Sequence, residues 1–260
     1  ILEFAATETN GEILTKLPNL TNIFKKFDDL AIREMFVNLV PNFYKILGID
    51  DQFLESFIAE ANFTQMNALR RAVQTKNELG ALITGSKCIN SLLDVFKNTK
   101  EQLLQVEAIK LLQILSEEND HIKALIRESL SSYEPSNAYV QSKVIDIVPE
   151  FGWKHIEKLM DPEESSILKR SIMNSTLEMD QETLIRTVYE KNLLSAVIDK
   201  AKETKTDGSL ITFADYLSKI QTFDEDPKWV EFVNSFLQKR LKDKNRIYGM
   251  SEEETLVRIH

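Results

Sequence analysis

The chain has 260 residues, of which 43% are hydrophobic and 28% charged. That is enough apolar material for a buried core, which excludes a disordered chain. Seven Gly and six Pro are too few for the many turns of an all-β fold, and a formal net charge of −9 opposes contact with nucleic-acid phosphates.

In chain order, residues 1–27 read as the end of one helix, a break at Asn10-Gly11, a short helix to Leu17 and a helix opening at Pro18. Leu20, Ile23, Phe24 and Phe27 then fall at i, i+3, i+4 and i+7, one apolar stripe. Asp28-Asp29 open the next helix, with Ile32, Met35, Phe36 and Leu39 inward and Pro41 at its end. A short helix over 42–48 closes at Gly48, and another covers 51–61.

A helix from Thr64 carries Met66, Leu69, Ala72 and Val73. One from Glu78 carries Leu79, Leu82 and Ile83 and stops at Gly85, the residue type favoured just past a helix end. A third spans Lys87 to Asn98, with Ile89, Leu92, Leu93 and Phe96 inward. The pattern restarts over Lys100–Ser116 and, after a polar break at 117–119, over His121–Ser129. Ala81-Leu82-Ile83 recurs as Ala124-Leu125-Ile126, 43 residues later. After a loop at 131–137, helices fit 138–149, 153–160, 162–174, 180–190, 192–203, 210–222 and 226–242, with a turn over Thr204–Ser209 and a short capped helix from Ser251. Asp161-Pro162-Glu163-Glu164 reads as a helix start, with acids where the helix dipole favours them. No strand survives this reading.

A period in the forties filled only by helices marks an α-solenoid. Glu101–Ser116 followed by Asn119–Ile126 resembles an armadillo repeat, and so does Asn77–Leu93, where Gly85 matches the family's glycine between its first two helices. Asn10–Phe24, with Leu17-Pro18-Asn19-Leu20, resembles the same junction. The resemblance covers 1–27 and 64–126, and from 127 onward a two-helix HEAT-like reading fits as well. It implies an all-α right-handed solenoid of five or six units, one helical-repeat domain over 1–260, armadillo-like over 1–126 and HEAT-like over 127–260. The chain opens in mid-pattern at Ile1-Leu2-Glu3-Phe4, so a longer parent chain is expected.

In importin-type and β-catenin-type armadillo proteins the third helix carries a Trp and, four residues on, an Asn that clamp an extended peptide. The matching positions here are Lys110 and Ile114, and in the preceding unit Asn67 and Arg71. Neither unit keeps that ladder, so capture of a nuclear-localisation peptide by that means is not expected. The same alignment sets Asn67, Arg70, Arg71 and Gln74 beside Lys110, Gln113 and Glu117, a polar and locally basic ridge on the concave side. Arg offers a planar donor fork for carboxylates, which points to an acidic or mixed peptide of another protein. The plainer alternative is a solvated helix face.

Nothing in the sequence makes a catalytic constellation. His121, His155 and His260 have no partner at metal-ligand spacing. Cys88, beside Lys87, reads as a small buried apolar residue, and it leaves no intrachain disulfide to form. No glycine-rich phosphate loop occurs, so no cofactor is expected. Trp153 and Trp229 read as core, and the Asn-x-Ser/Thr triplets at Asn19, Asn62 and Asn174 as unmodified. Lys239, Arg240, Lys242, Lys244 and Arg246 form a basic cluster, offset by acids at 224–226 and 252–254. No apolar run approaches the roughly 18–20 residues of a membrane span. The expectation is a non-enzymatic scaffold or adaptor, cytoplasmic or nuclear, that binds a protein along its concave face. The alternative, by fold-level analogy, is an assembly chaperone or regulatory subunit of a large machine such as the proteasome, a heat-shock chaperone or a phosphatase complex.

Overall fold

The computed structural model describes residues 20–84, 87–117, 119–131, 133–135, 137–203 and 208–239. These residues form fifteen α-helices, and none of them lies in a strand. The break at Asn10-Gly11, the helix start at Pro18, Asn19, Gly85, most of the 204–209 turn, Arg240 to Arg246, the helix from Ser251 and His260 lie outside them. The chain divides into two compact units, Ile1–Ile147 and Val148–His260.

The first unit holds α1 (Leu20–Lys26), α2 (Leu30–Phe43), α3 (Asp51–Ala59), α4 (Phe63–Thr75), α5 (Asn77–Thr84), α6 (Cys88–Asn98), α7 (Gln102–Ser116), α8 (Asp120–Leu130) and α9 (Ala138–Ile147). Short polar side chains start several of these helices by accepting from backbone N–H groups that have no partner inside the helix. Asp29 accepts from Ala31 at 2.6 Å, Asp50 from Phe53 at 2.8 Å and Asn119 from Ile122 at 3.1 Å. Asn62 and Gln65 form a reciprocal capping box, each side chain accepting from the other's backbone N–H at 2.9 Å. The Asn62 amide also donates to the Phe27 carbonyl at 3.3 Å, so this triplet asparagine is engaged in packing. Asn62→Ala is expected to cost about 1.5 kcal/mol, read as a lower urea midpoint, because a cap is lost.

Several boundaries differ from the sequence expectation. Pro41 lies inside α2 and is buried, with the helix ending two residues later at Phe43. The N–H that proline lacks would have bonded the Val37 carbonyl, so the ladder is weakened there and the helix runs only two residues further. Residues 44–48 form turns instead of a helix, closed by Gly48 at φ +69°. The Ile49 N–H reaches back to the Tyr44 carbonyl at 2.8 Å, a closure in which glycine adopts the left-handed conformation without penalty.

α2 packs on α4, α4 on α7 and α7 on α9, making one row of helices. α3 packs on α6, and α6 and α8 both pack on α7 from the other side of the core. α5 bridges α4 and α6. Between the rows sits an aromatic cluster around the fully buried Phe36, 5.1 Å from both Phe24 and Phe57 and 5.8 Å from Phe27. The recurring triplet takes the same exposure in both places: Ala81 and Ala124 exposed, Leu82 and Leu125 half-buried, Ile83 and Ile126 fully buried. Cys88 is buried, with its thiol 3.9 Å from the Asp51 carbonyl.

The second unit holds α10 (Pro149–Lys154), α11 (Ser166–Leu177), α12 (Gln181–Glu190), α13 (Leu193–Glu203), α14 (Gly208–Leu217) and α15 (Pro227–Phe232), with 3-10 turns at Ile156–Met160 and Gln221–Glu225 and a π-turn at Val233–Leu237. The helix expected over 138–149 stops at Ile147, because a residue preceding proline, here Val148, is pushed out of the helical region. The helix expected from Asp161 begins only at Ser166. The Asp161 carboxylate accepts from the Glu163 N–H at 3.0 Å, a local bond that favours a turn over a helix. The helix expected over 226–242 is a short α-helix running into a π-turn. α11 packs on α10 and α14, and α13 on α12, α14 and α15. Trp229 is fully buried beside Phe232, and half-buried Trp153 donates its indole N–H to the Ser175 carbonyl at 2.7 Å.

Candidate partner-binding ridge

α4 carries Asn67, Arg70, Arg71 and Gln74 at helical spacing, so all four share one face while Met66, Leu69 and Val73 fill the core. α7 carries Lys110 and Gln113 on one face in the same way, above buried Leu111, Leu112 and Leu115, with Glu117 following as the residue that caps its C-terminal end. Because α4 packs on α7, these two faces adjoin.

The two faces are joined by a residue absent from the sequence reading. Glu107, only 4% exposed, lies at the junction of α4 and α7. Its carboxylate accepts from Arg70 Nε at 2.6 Å, Asn67 Nδ2 at 3.0 Å and Lys110 Nζ at 3.3 Å. Burial pushes this carboxyl up, but the hydrogen bonds from Arg70 and Asn67 and the charges of Arg70 and Lys110 outweigh it and hold the group below the usual glutamate value. Arg70 also donates to Gln74 Oε1 at 2.8 Å.

On the other side the network continues to α2. Arg71 donates to Glu34 at 2.6 Å, Arg33 donates to the same carboxylate at 2.6 Å, and Arg33 reaches Asn67 at 3.4 Å. The hydrogen bonds from Arg71 and then Arg33 hold the Glu34 carboxyl below its ordinary value. Sites 34 to 40 residues apart in the chain are thereby tied into one polar seam across α2, α4 and α7. Asn67, Arg70, Arg71, Gln74 and Lys110 belong to it. Gln113 and Glu117 share its surface, but no hydrogen bond joins their side chains to it.

The seam is therefore partly a structural clamp. Four cations, Arg33, Arg70, Arg71 and Lys110, meet two carboxylates, Glu34 and Glu107. Arg70 is spent on a buried partner. The side chains of Arg71 and Lys110 stay 38% and 33% exposed and keep donors facing water. The sequence did hold a sign of Glu107: it interrupts an otherwise apolar run from Val106 to Ile109, and a glutamate so placed is almost never buried without a cation. Arg33 and Glu34 carried no such sign, since they lie on the polar face of an ordinary amphipathic helix.

Beyond the ridge, at the C-terminal ends of α4 and α7, lies a cleft of about 580 Å³. Gln74 and Glu117 line it, so ridge and cleft are continuous. Elsewhere His121 is exposed and His155 packs on Phe151 at 4.8 Å. Among the described residues no group of three or more His, Cys, Asp or Glu side chains is placed to hold a metal ion. Among them, too, no helix is long and apolar enough to cross a membrane. No family model, curated protein or solved structure matches the chain.

Proposed function

We propose that the chain is a non-enzymatic scaffold of armadillo/HEAT-like α-solenoid type that binds a partner protein through the polar ridge of α4 and α7. The observation that carries this reading is the seam itself. It joins the polar faces of α2, α4 and α7 through residues 37 positions apart and leaves the side chains of Arg71 and Lys110 partly exposed. An Arg fork beside an ammonium suits carboxylates of an acidic or mixed segment, and helical rows of this kind present long surfaces to such segments.

The test uses Arg71→Gln/Lys110→Gln, which removes both charges without setting a new carboxylate against Glu34 or Glu107, and spares Arg70 because that side chain is the main partner of Glu107. A partner captured from cell extract, identified and purified should bind the double variant about tenfold or more weakly, a difference of about 1.4 kcal/mol or more, with helical circular dichroism unchanged. Equal binding by both proteins overturns the ridge. A turnover by the purified chain that one point substitution abolishes overturns the non-enzymatic reading.

A further inference from the structure

The cleft at the end of the ridge carries an inference about what the partner segment looks like, and it rests on the ridge reading above. The buried part of its floor is apolar, formed by Val73 of α4, Gly80 of α5 and Leu115 of α7, while Thr84 and Asn119 add polar groups to its lining. Its rim is polar where it joins the ridge, at Gln74 and Glu117. Gln74 belongs to both features, since it lines the cleft and accepts from Arg70.

At Gly80 no side chain covers the floor, where α5 lies against Val73 and Leu115. Glycine is among the poorest residues inside a helix, and here no positive φ calls for it. A Cβ at this position would meet Val73 Cγ1 at 3.4 Å and Leu115 Cδ2 at 3.7 Å, ordinary contact distances. A methyl group is therefore tolerated here, while a larger side chain must press on Val73 and Leu115 and take up the space over them.

We propose that the partner segment is bipartite: an aliphatic or aromatic side chain enters the cleft over Gly80, and a carboxylate a few residues away meets Arg71 and Lys110. Charge selects the acidic half, because the seam holds four cations against two carboxylates. The apolar floor selects the other half, since it offers buried contact and no donor. Glu117 on the rim repels an acid at the cleft itself, which fixes the order of the two halves along the groove.

The experiment is selection from a phage-displayed library of random dodecapeptides on the whole chain. Selected sequences are then synthesised with a fluorophore and titrated by anisotropy. Two variants block the cleft: Gly80→Leu from the floor and Ala81→Phe from an exposed lining position, with circular dichroism checking that both fold. The expected result is peptides pairing one apolar residue with nearby carboxylates. Their affinity should fall about tenfold or more in Ala81→Phe and Gly80→Leu, and again in Arg71→Gln/Lys110→Gln. Acidic peptides without a fixed apolar position, weakened by the ridge variant and indifferent to both cleft variants, overturn this inference and leave the ridge reading standing. An empty selection, or peptides indifferent to the ridge variant, overturns both.

Discussion

Glu107→Ala is expected to lower the unfolding free energy by about 3 kcal/mol, read from the urea midpoint of the first unit. Breaking a buried ion pair by removing one partner typically costs about 3–5 kcal/mol, because the other charge is left without compensation. The stranded groups here are Arg70, whose side chain is 17% exposed, and the Asn67 amide. The Gln74 carbonyl still accepts from Arg70, which places the expected cost at the lower end of that range. Arg70→Glu should do at least as much harm, since it sets a second carboxylate against Glu107. Glu107→Leu should be milder than Glu107→Ala, because it keeps the volume.

The effect has a pH signature of defined sign. The folded-state value of Glu107 lies below the ordinary one. Its contribution is therefore fully present above the unfolded-state value and is lost as pH falls through the folded one. The stability gap between wild type and Glu107→Gln should be constant near neutrality and shrink in acid. A gap that widens on acidification contradicts the assigned contacts.

The second large effect is expected from Phe36→Ala, at about 4 kcal/mol by the same measurement. The side chain is fully buried and contacts Phe24 edge-on and Phe57 face-on, each at 5.1 Å. Removing it leaves a cavity among the rings of Phe24 on α1, Phe27 just after it and Phe57 on α3, and Phe→Ala changes of this kind cost about 3–5 kcal/mol. Three aromatic pairs are lost as well, each contributing about 0.5–1.5 kcal/mol beyond area burial. Phe36→Leu should cost less than half as much, because leucine fills most of the space. If Phe36→Ala and an exposed control such as Leu103→Ala shift the midpoint equally, the cluster is not the centre of this core.

The helical character of the chain was legible because apolar residues recur at i, i+3, i+4 and i+7 through nearly every segment. The stripe Met66, Leu69, Ala72, Val73 on α4 and the stripe Ile89, Leu92, Leu93, Phe96 on α6 are buried as read. Boundaries were less legible where one side chain decides between helix and turn. Asp161 draws its own backbone into a turn, and Val148 is turned out of helix by the proline after it. Periodicity carries no trace of either event. In the ridge, the residues on α4 and α7 were picked out through the resemblance to an armadillo repeat. That Arg70 is used internally was not, because pairing between residues 37 apart depends on how two helices dock.

The seam also bears on how the first unit assembles. Its cross-links join residues separated by 34, 37 and 40 positions, so each encloses a loop of nearly the same length. The entropy of closing a loop grows only with the logarithm of its length, and these closures therefore carry nearly equal penalties. No link waits on a remote stretch of chain. Each helix of the row can dock once the forty or so residues after its neighbour have been synthesised, so the row can grow in the order the ribosome delivers it.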